Sequence, residues 1–254
     1  MKYVSLLLTF LSYSLLANER WQDPEVFNIN RLEPRAIYTQ TKEVKDAISL
    51  NGQWKFYWSK NVHLNTEEFS QVNFNDSSWD NINVPGNWEI LGYGNPIYRE
   101  SGYPKAPALQ LDKADNAIGF YRHNFDIPQS WANQKTIIHF ASISSAMTLW
   151  VNGKEVGYSE GSKVPTEFDI SRFIKPGRNS LAVKMVRWSA GSYLEDVDFW
   201  RLSGIDRDVF IYALPQVHIQ DLKVNASLNT TYKKGEFKLD LDITNNLPSD
   251  EKVT

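Results

Sequence analysis

Apolar and polar residues alternate along most of this chain with a period of two, the signature of half-buried β-strands. Trp54, Phe56 and Trp58 alternate with Lys55 and Tyr57 after the turn pair Asn51-Gly52. Strand-like runs follow over residues 119–127, 135–143, 146–151, 154–158, 166–170, 181–186 and 208–212, with turn residues between them. Short strands at roughly 8–12-residue spacing predict a β-sandwich or jelly roll rather than a helical fold. Asn152-Gly153 joins two of these runs and suits the positive φ angles of a two-residue type I′ hairpin. Pro85-Gly86 and Pro176-Gly177 mark further turns. No helical stripe exceeds two turns, and there is no internal repeat.

Pro215 closes this unit. Beyond it, residues 217–224 and 236–243 alternate as two more strands around Lys234-Gly235. The stretch from 215 to 254 is too short to cover both faces of a sandwich of about 100 residues, so it reads as half a domain or a sheet needing a partner. At the other end, Lys2 precedes an apolar run from Val4 to Leu16, and Leu15-Leu16-Ala17 offers a cleavage site before Asn18. The run falls short of the roughly 20 residues of a spanning helix, so the expectation is an export signal and a periplasmic or secreted protein without a stable membrane span. The predicted organisation is a signal peptide at 1–17, an extended arm at 18–45, a sandwich at 46–214 and an incomplete second sandwich at 215–254.

Composition narrows the chemistry. Nine tryptophans argue for a packed core, and a net charge of −3 leaves no basic footprint for nucleic acid. The absence of cysteine removes disulfides, thiol nucleophiles, cysteine zinc sites and a lipoprotein anchor. The four histidines (His63, His123, His139 and His218) lack metal-ligand spacing. His123 and His139 fit a core or sheet face, and the Trp54/Phe56/Trp58 stripe fits the core. Trp88 and Tyr103, next to loops, are the candidates for a sugar-stacking platform.

Candidate chemistry concentrates at residues 187–209. Glu195, Asp196 and Asp198 crowd three carboxylates between Trp188 and Tyr193 on one side and Phe199 and Trp200 on the other. Carboxylates accept from sugar hydroxyls and aromatic rings cover C–H faces, so the pattern suits a carbohydrate. Its bland alternative is a solvated acidic loop in which Asp198 pairs with Arg201 or Arg187. In an extended strand Asp196 and Asp198 share one face and Glu195 the other; Asp196 supports Asp198 or pairs with Arg187, and neither it nor Glu195 joins the expected site.

Several motifs resemble the N-terminal region of the large bacterial β-galactosidases of glycoside hydrolase family 2. They are Leu50-Asn-Gly-Gln-Trp-Lys-Phe56, Val84-Pro-Gly-Asn-Trp88, Gly92-Tyr-Gly-Asn-Pro-Ile-Tyr98, Leu149-Trp-Val-Asn-Gly-Lys-Glu-Val-Gly-Tyr158, Glu167-Phe-Asp-Ile170 and, most specific, the run from Arg187 to Ile205. The resemblance implies an all-β chain, with a sugar-binding jelly-roll β-sandwich followed by the start of an immunoglobulin-like β-sandwich. It also implies a catalytic (β/α)₈ barrel outside this chain, in cis or in trans, carrying both glutamates of a retaining mechanism. The full-length activity implied is release of terminal non-reducing β-D-galactose from β-galactosides, with this chain inactive alone and the complete protein often oligomeric. By the same resemblance Asp198 binds a galactosyl hydroxyl and ligates a sodium ion, while magnesium has its ligands elsewhere. Glu100 occupies the slot where the family has a sugar-contacting Asn; it accepts as Asn does but cannot donate, leaving a related β-glycoside open as substrate. The alternative for Glu100 is a surface charge paired with Arg99. Two other readings of the whole chain are a stand-alone carbohydrate-binding module and a fragment that complements a separate barrel chain.

Overall fold

The structure is a computed structural model that describes residues 19–35, 47–62, 67–99, 116–195 and 198–247. Among these residues there are strands and short 3-10 turns but no α-helix, so the fold is all-β. Two antiparallel sheets form the body. The larger runs, edge to edge, β1 (Asn28–Ile29), β10 (Lys154–Ser159), β9 (Ala146–Val151), β12 (Gly177–Val186), β7 (Ile118–Ile127), β3 (Gly52–Ser59) and β4 (Asp80–Val84). The smaller runs β11 (Thr166–Asp169), β8 (Lys135–Phe140), β15 (Val209–Leu214) and β2 (Ala47–Ser49). Three two-stranded ribbons complete it: β5 (Gly86–Asn87) with β14 (Gly204–Ile205), β6 (Ile97–Arg99) with β13 (Phe199–Arg201), and β16 (Val217–Leu228) with β17 (Gly235–Asn245).

Alternation along each strand builds the core. Trp54 and Phe56 of β3, Leu149 and Val151 of β9, and Leu181, Val183 and Met185 of β12 are every second residue. They join Ile138 and Phe140 of β8, Phe168 of β11, and Val209 and Ile211 of β15 in one buried cluster between the sheets. Each such side chain is worth about 1.5–3 kcal/mol on full burial. Gly119 of β7 lies in this layer because a Cβ there would sit 2.4 Å from the Trp88 ring and 2.8 Å from that of Phe56.

The large sheet is buried on its other face as well. Phe120, Trp150, Ala182 and Val186 pack there with Phe69 and with Trp21 of the N-terminal arm. This double cover explains why β7 opens on five consecutive buried residues rather than an alternating run. The arm also adds β1 to the sheet edge and passes to the small sheet, where Leu32 N–H donates to the Glu167 carbonyl at 2.9 Å. There Glu167 holds a buried network: its carboxylate accepts from Arg35 Nε at 3.1 Å, Tyr212 Oη at 2.7 Å and lies 2.9 Å from His139 Nδ1. Burial pushes the Glu167 carboxyl up, but the His139 and Tyr212 hydrogen bonds and the Arg35 charge outweigh it and leave its pKa lowered.

The Asn152-Gly153 turn behaves as its sequence predicts, with φ of 51° and 77°. Its Asn side chain accepts from Ser180 N–H at 3.0 Å and donates to the Phe173 carbonyl at 2.9 Å, tying the hairpin to β12. After Leu214 the chain leaves the body as β16 and β17. Phe237, Leu239, Leu241 and Ile243 pair with Ala226, Val224, Leu222 and Ile219 across this ribbon, and all four β17 residues are exposed.

Candidate functional site

The site is assembled where β12 ends at the sandwich rim. Asn116 clamps the exit, its Oδ1 accepting from Trp188 N–H at 2.9 Å and its Nδ2 donating to the Trp188 carbonyl at 2.8 Å. The chain then turns through a 3-10 segment, Ala190–Tyr193, with Ser189 and Ser192 capping each other reciprocally. Glu160 braces this turn from below. Its carboxylate accepts from Gly191 N–H at 2.7 Å and from Tyr158 Oη at 2.5 Å, and burial pushes its pKa up. Glu195 is turned away to Ser162, accepting from its N–H at 2.5 Å and its hydroxyl at 2.7 Å, while Arg201 donates to the Glu195 carbonyl.

Asp198 follows, just ahead of the β6–β13 ribbon, in which Trp200 pairs with Tyr98 and Phe199 with Arg99. Its side chain is exposed, and its Oδ1 accepts from Tyr98 Oη at 2.5 Å. That hydrogen bond, then partial desolvation, raises the Tyr98 pKa. Trp200 meets Tyr98 edge-on at 5.4 Å. Tyr98, Phe199 and Trp200 each keep about half of their surface open, at 50%, 53% and 47%. Asp198 is thus held by a phenol, not by Arg201 or Arg187. Arg187 instead donates to the Asn95 carbonyl at 3.0 Å and lies 3.6 Å from Glu89. The buried Glu89 carboxylate in turn accepts from Ser203 N–H at 2.8 Å and Ser203 Oγ at 2.9 Å, fixing the chain just past the ribbon.

Other sequence candidates fall differently. Trp88, expected as a stacking platform, is fully buried: its ring fills the core above Gly119 and its Nε1 donates to Tyr121 Oη. The aromatic surface next to Asp198 belongs instead to Tyr98, Phe199 and Trp200. Glu100, Tyr103 and Asp196 lie outside the described residues. His123 stacks on Trp54 at 4.8 Å, and burial lowers its pKa; His139 is fully buried beside Glu167. Tyr98 was missed as a site residue, although it ends the Pro96-Ile97-Tyr98 motif.

Among the described residues no three His, Asp or Glu side chains gather as metal ligands. Asp198 does expose a hard oxygen donor of the kind alkali and alkaline-earth cations take. A cation there would need further oxygen ligands besides Asp198.

An all-β two-sheet body whose rim presents an exposed carboxylate among open aromatic rings has the features of a carbohydrate-binding domain. Residues 47–215 match the glycosyl hydrolases family 2, sugar binding domain, and the chain belongs to that family. It is 38% identical over 239 residues to a β-galactosidase of Priestia megaterium, covering 88% of this chain and 23% of that protein. A β-galactosidase of Halalkalibacterium halodurans is 37% identical over 244 residues, covering 89% and 24%. The chain therefore spans about a quarter of the length of these curated relatives. A β-glucuronidase structure from an uncultured Clostridium shares the fold with a TM-score of 0.64 at 22% identity, over 83% of this chain and 36% of that one. A Ruminococcus gnavus β-glucuronidase matches with a TM-score of 0.62 at 23% identity, over 84% and 36%.

Proposed function

We propose that this chain is the sugar-binding front of an exported β-galactosidase, inactive alone, which works with a catalytic barrel that removes terminal non-reducing β-D-galactose with retention. The observation that carries the reading is Asp198: an exposed carboxylate held by Tyr98 beside the open ring of Trp200. A carboxylate in that setting accepts from sugar hydroxyls through charge-assisted hydrogen bonds, and the aromatic ring covers an apolar sugar face. The full-length relatives named β-galactosidases, at 37–38% identity, support galactose as the sugar.

In this proposal Asp198 also ligates a sodium ion that completes its oxygen shell from the barrel and the bound sugar. The ion offsets the carboxylate's charge when water is excluded. Glu100 contacts the same ring as an acceptor, magnesium is bound by the barrel, and the complete protein is a homo-oligomer. Residues 1–17 direct export to the periplasm or medium.

The test combines the purified chain with a barrel polypeptide from a β-galactosidase of the same family. No hydrolysis of nitrophenyl β-galactoside by the chain alone, and sodium-dependent hydrolysis on mixing that Asp198→Asn abolishes, is the expected outcome. Turnover by the stringently purified chain, or full activity of the mixed Asp198→Asn variant, rejects the proposal. If the chain never complements a barrel but binds galactosides in an Asp198-dependent way, it is a stand-alone carbohydrate-binding module.

A further inference from the structure

The β6–β13 ribbon cannot set its own alignment. It has three residue pairs, Phe199 with Arg99, Trp200 with Tyr98 and Arg201 with Ile97, and it stands outside both main sheets. Isolated two-stranded ribbons are marginal in water, and Tyr98, Phe199 and Trp200 are about half exposed, so packing adds little. Yet the 2.5 Å hydrogen bond from Tyr98 Oη to Asp198 Oδ1 forms only if the two strands are in register. That register has to come from anchors beyond the ribbon's end.

One buried carboxylate reaches an anchor of each strand. Because Arg201 pairs with Ile97, the exit of β13 and the entry of β6 lie at the same end of the ribbon. Glu89, its side chain 1% exposed, accepts from Ser203 N–H at 2.8 Å and Ser203 Oγ at 2.9 Å, just past β13. Its Oε1 also lies 3.6 Å from Arg187 Nη2, and the same nitrogen donates at 3.0 Å to the Asn95 carbonyl, just ahead of β6. Trp88 N–H holds the Ser203 carbonyl at 2.9 Å as well, so the exit of β13 is anchored without Glu89. What the carboxylate adds is the tie from that exit, through Arg187, to the entry of β6. Serving Ser203 needs only an amide oxygen, whereas orienting a guanidinium that is 11% exposed needs the charge. A buried charge is costly unless paired and hydrogen-bonded, which sets Glu89 apart from an ordinary core acceptor.

We propose that Glu89 is the positioning residue of the Asp198 site: by linking Ser203 to Arg187 it holds β13 and β6 in register and keeps Tyr98 on Asp198. The consequence for sugar rests on the proposed role of Asp198, whereas the alignment does not, and the two are read separately.

Carbon NMR on the 254-residue chain, isotope-labelled at tyrosine Cζ, follows the ionisation of Tyr98, whose resonance is assigned by its loss in Tyr98→Phe. The hydrogen bond to Asp198 holds that ionisation above the ordinary tyrosine range, and Asp198→Asn, which removes the charged acceptor, sets the fully released value. Glu89→Gln keeps an acceptor for Ser203 but removes the charge, and it should move Tyr98 most of the way to the Asp198→Asn value. It should also weaken methyl β-D-galactopyranoside binding in calorimetry about tenfold, the lower end for one charge-assisted hydrogen bond. Because Glu89→Gln strands the Arg187 charge, the second variant is Glu89→Gln with Arg187→Met. This double variant should regain the wild-type urea midpoint yet keep the shifted Tyr98 and the weakened binding, a split that a purely stabilising residue would not give. An unmoved Tyr98 in both variants, or a Tyr98 and an affinity that return with stability in the double variant, overturns the proposal. If Tyr98 shifts in both variants while neither they nor Asp198→Asn change galactoside affinity, Glu89 stands as the positioning residue and the Asp198 reading falls.

Discussion

Replacing Glu167 by Gln should be among the most destabilising single-atom changes available to this chain. The carboxylate and its Arg35 partner are 7% and 9% exposed at the side chain, and the pair also engages Tyr212 and His139. In the variant, the amide oxygen can still accept from Tyr212 and His139, but its NH₂ then faces Arg35 Nε, donor against donor. Breaking a buried ion pair while leaving one charge behind costs about 3–5 kcal/mol. Because part of the network survives, the lower end applies: about 3 kcal/mol, or a fall in Tm of roughly 6–12 °C. Arg35 also donates to the Gln220 carbonyl at 3.3 Å, so the loss should loosen β16 as well as the arm. Urea unfolding of Glu167→Gln, Arg35→Met and the double variant measures this. The double variant should be no less stable than Glu167→Gln alone, because the stranded charge is gone. Single-variant losses below about 1 kcal/mol, or strictly additive losses, would refute the reasoning.

The pH dependence supplies a second prediction. The folded Glu167 pKa is lowered, so the unfolded state binds more protons as acid is added. Its stabilisation is therefore present above the unfolded carboxyl pKa and lost as pH falls through the folded one, and Glu167→Gln should flatten that acid limb. Glu160 has the opposite sign. Its folded pKa is raised by burial, so stability falls as pH rises from the unfolded pKa through the folded one, and Glu160→Gln should remove that decline; an unchanged slope above the ordinary carboxyl range would contradict this. Gly119→Ala should cost about 1–3 kcal/mol by overpacking, since the new methyl would meet Trp88 and Phe56 ring atoms at 2.4–2.9 Å; wild-type stability by urea titration would disprove it. Asp198→Asn should leave the unfolding midpoint unmoved, because the side chain is exposed, while calorimetry records weakened galactoside binding.

Most of the strands were legible as short apolar or alternating runs bounded by turn residues. The runs at 119–127, 146–151 and 154–158 match β7, β9 and β10 nearly residue for residue. The β6–β13 ribbon was not legible: each strand has three residues, too few for a period, and its partners lie about a hundred positions apart. The buried acids were also hidden, because nothing local separates Glu89, Glu160 or Glu167 from a solvated glutamate. Only the partners the fold brings to them make their burial tolerable. Trp88 shows the converse error. Its loop setting suggested exposure, yet the missing side chain at Gly119 opens the space its ring fills.

The amino-acid sequence by itself determined the all-β class, the hairpin at Asn152-Gly153 and the neighbourhood of the acidic–aromatic cluster, because period, turn chemistry and motif are properties of adjacent residues. Tertiary structure alone decided which carboxylate stays open to solvent. Glu195 is drawn to Ser162 and Glu160 is buried under Gly191, whereas Asp198 rides on a ribbon that Tyr98 completes. Those partners are far away in the chain, and a side chain's exposure and charge depend on what the fold places against it.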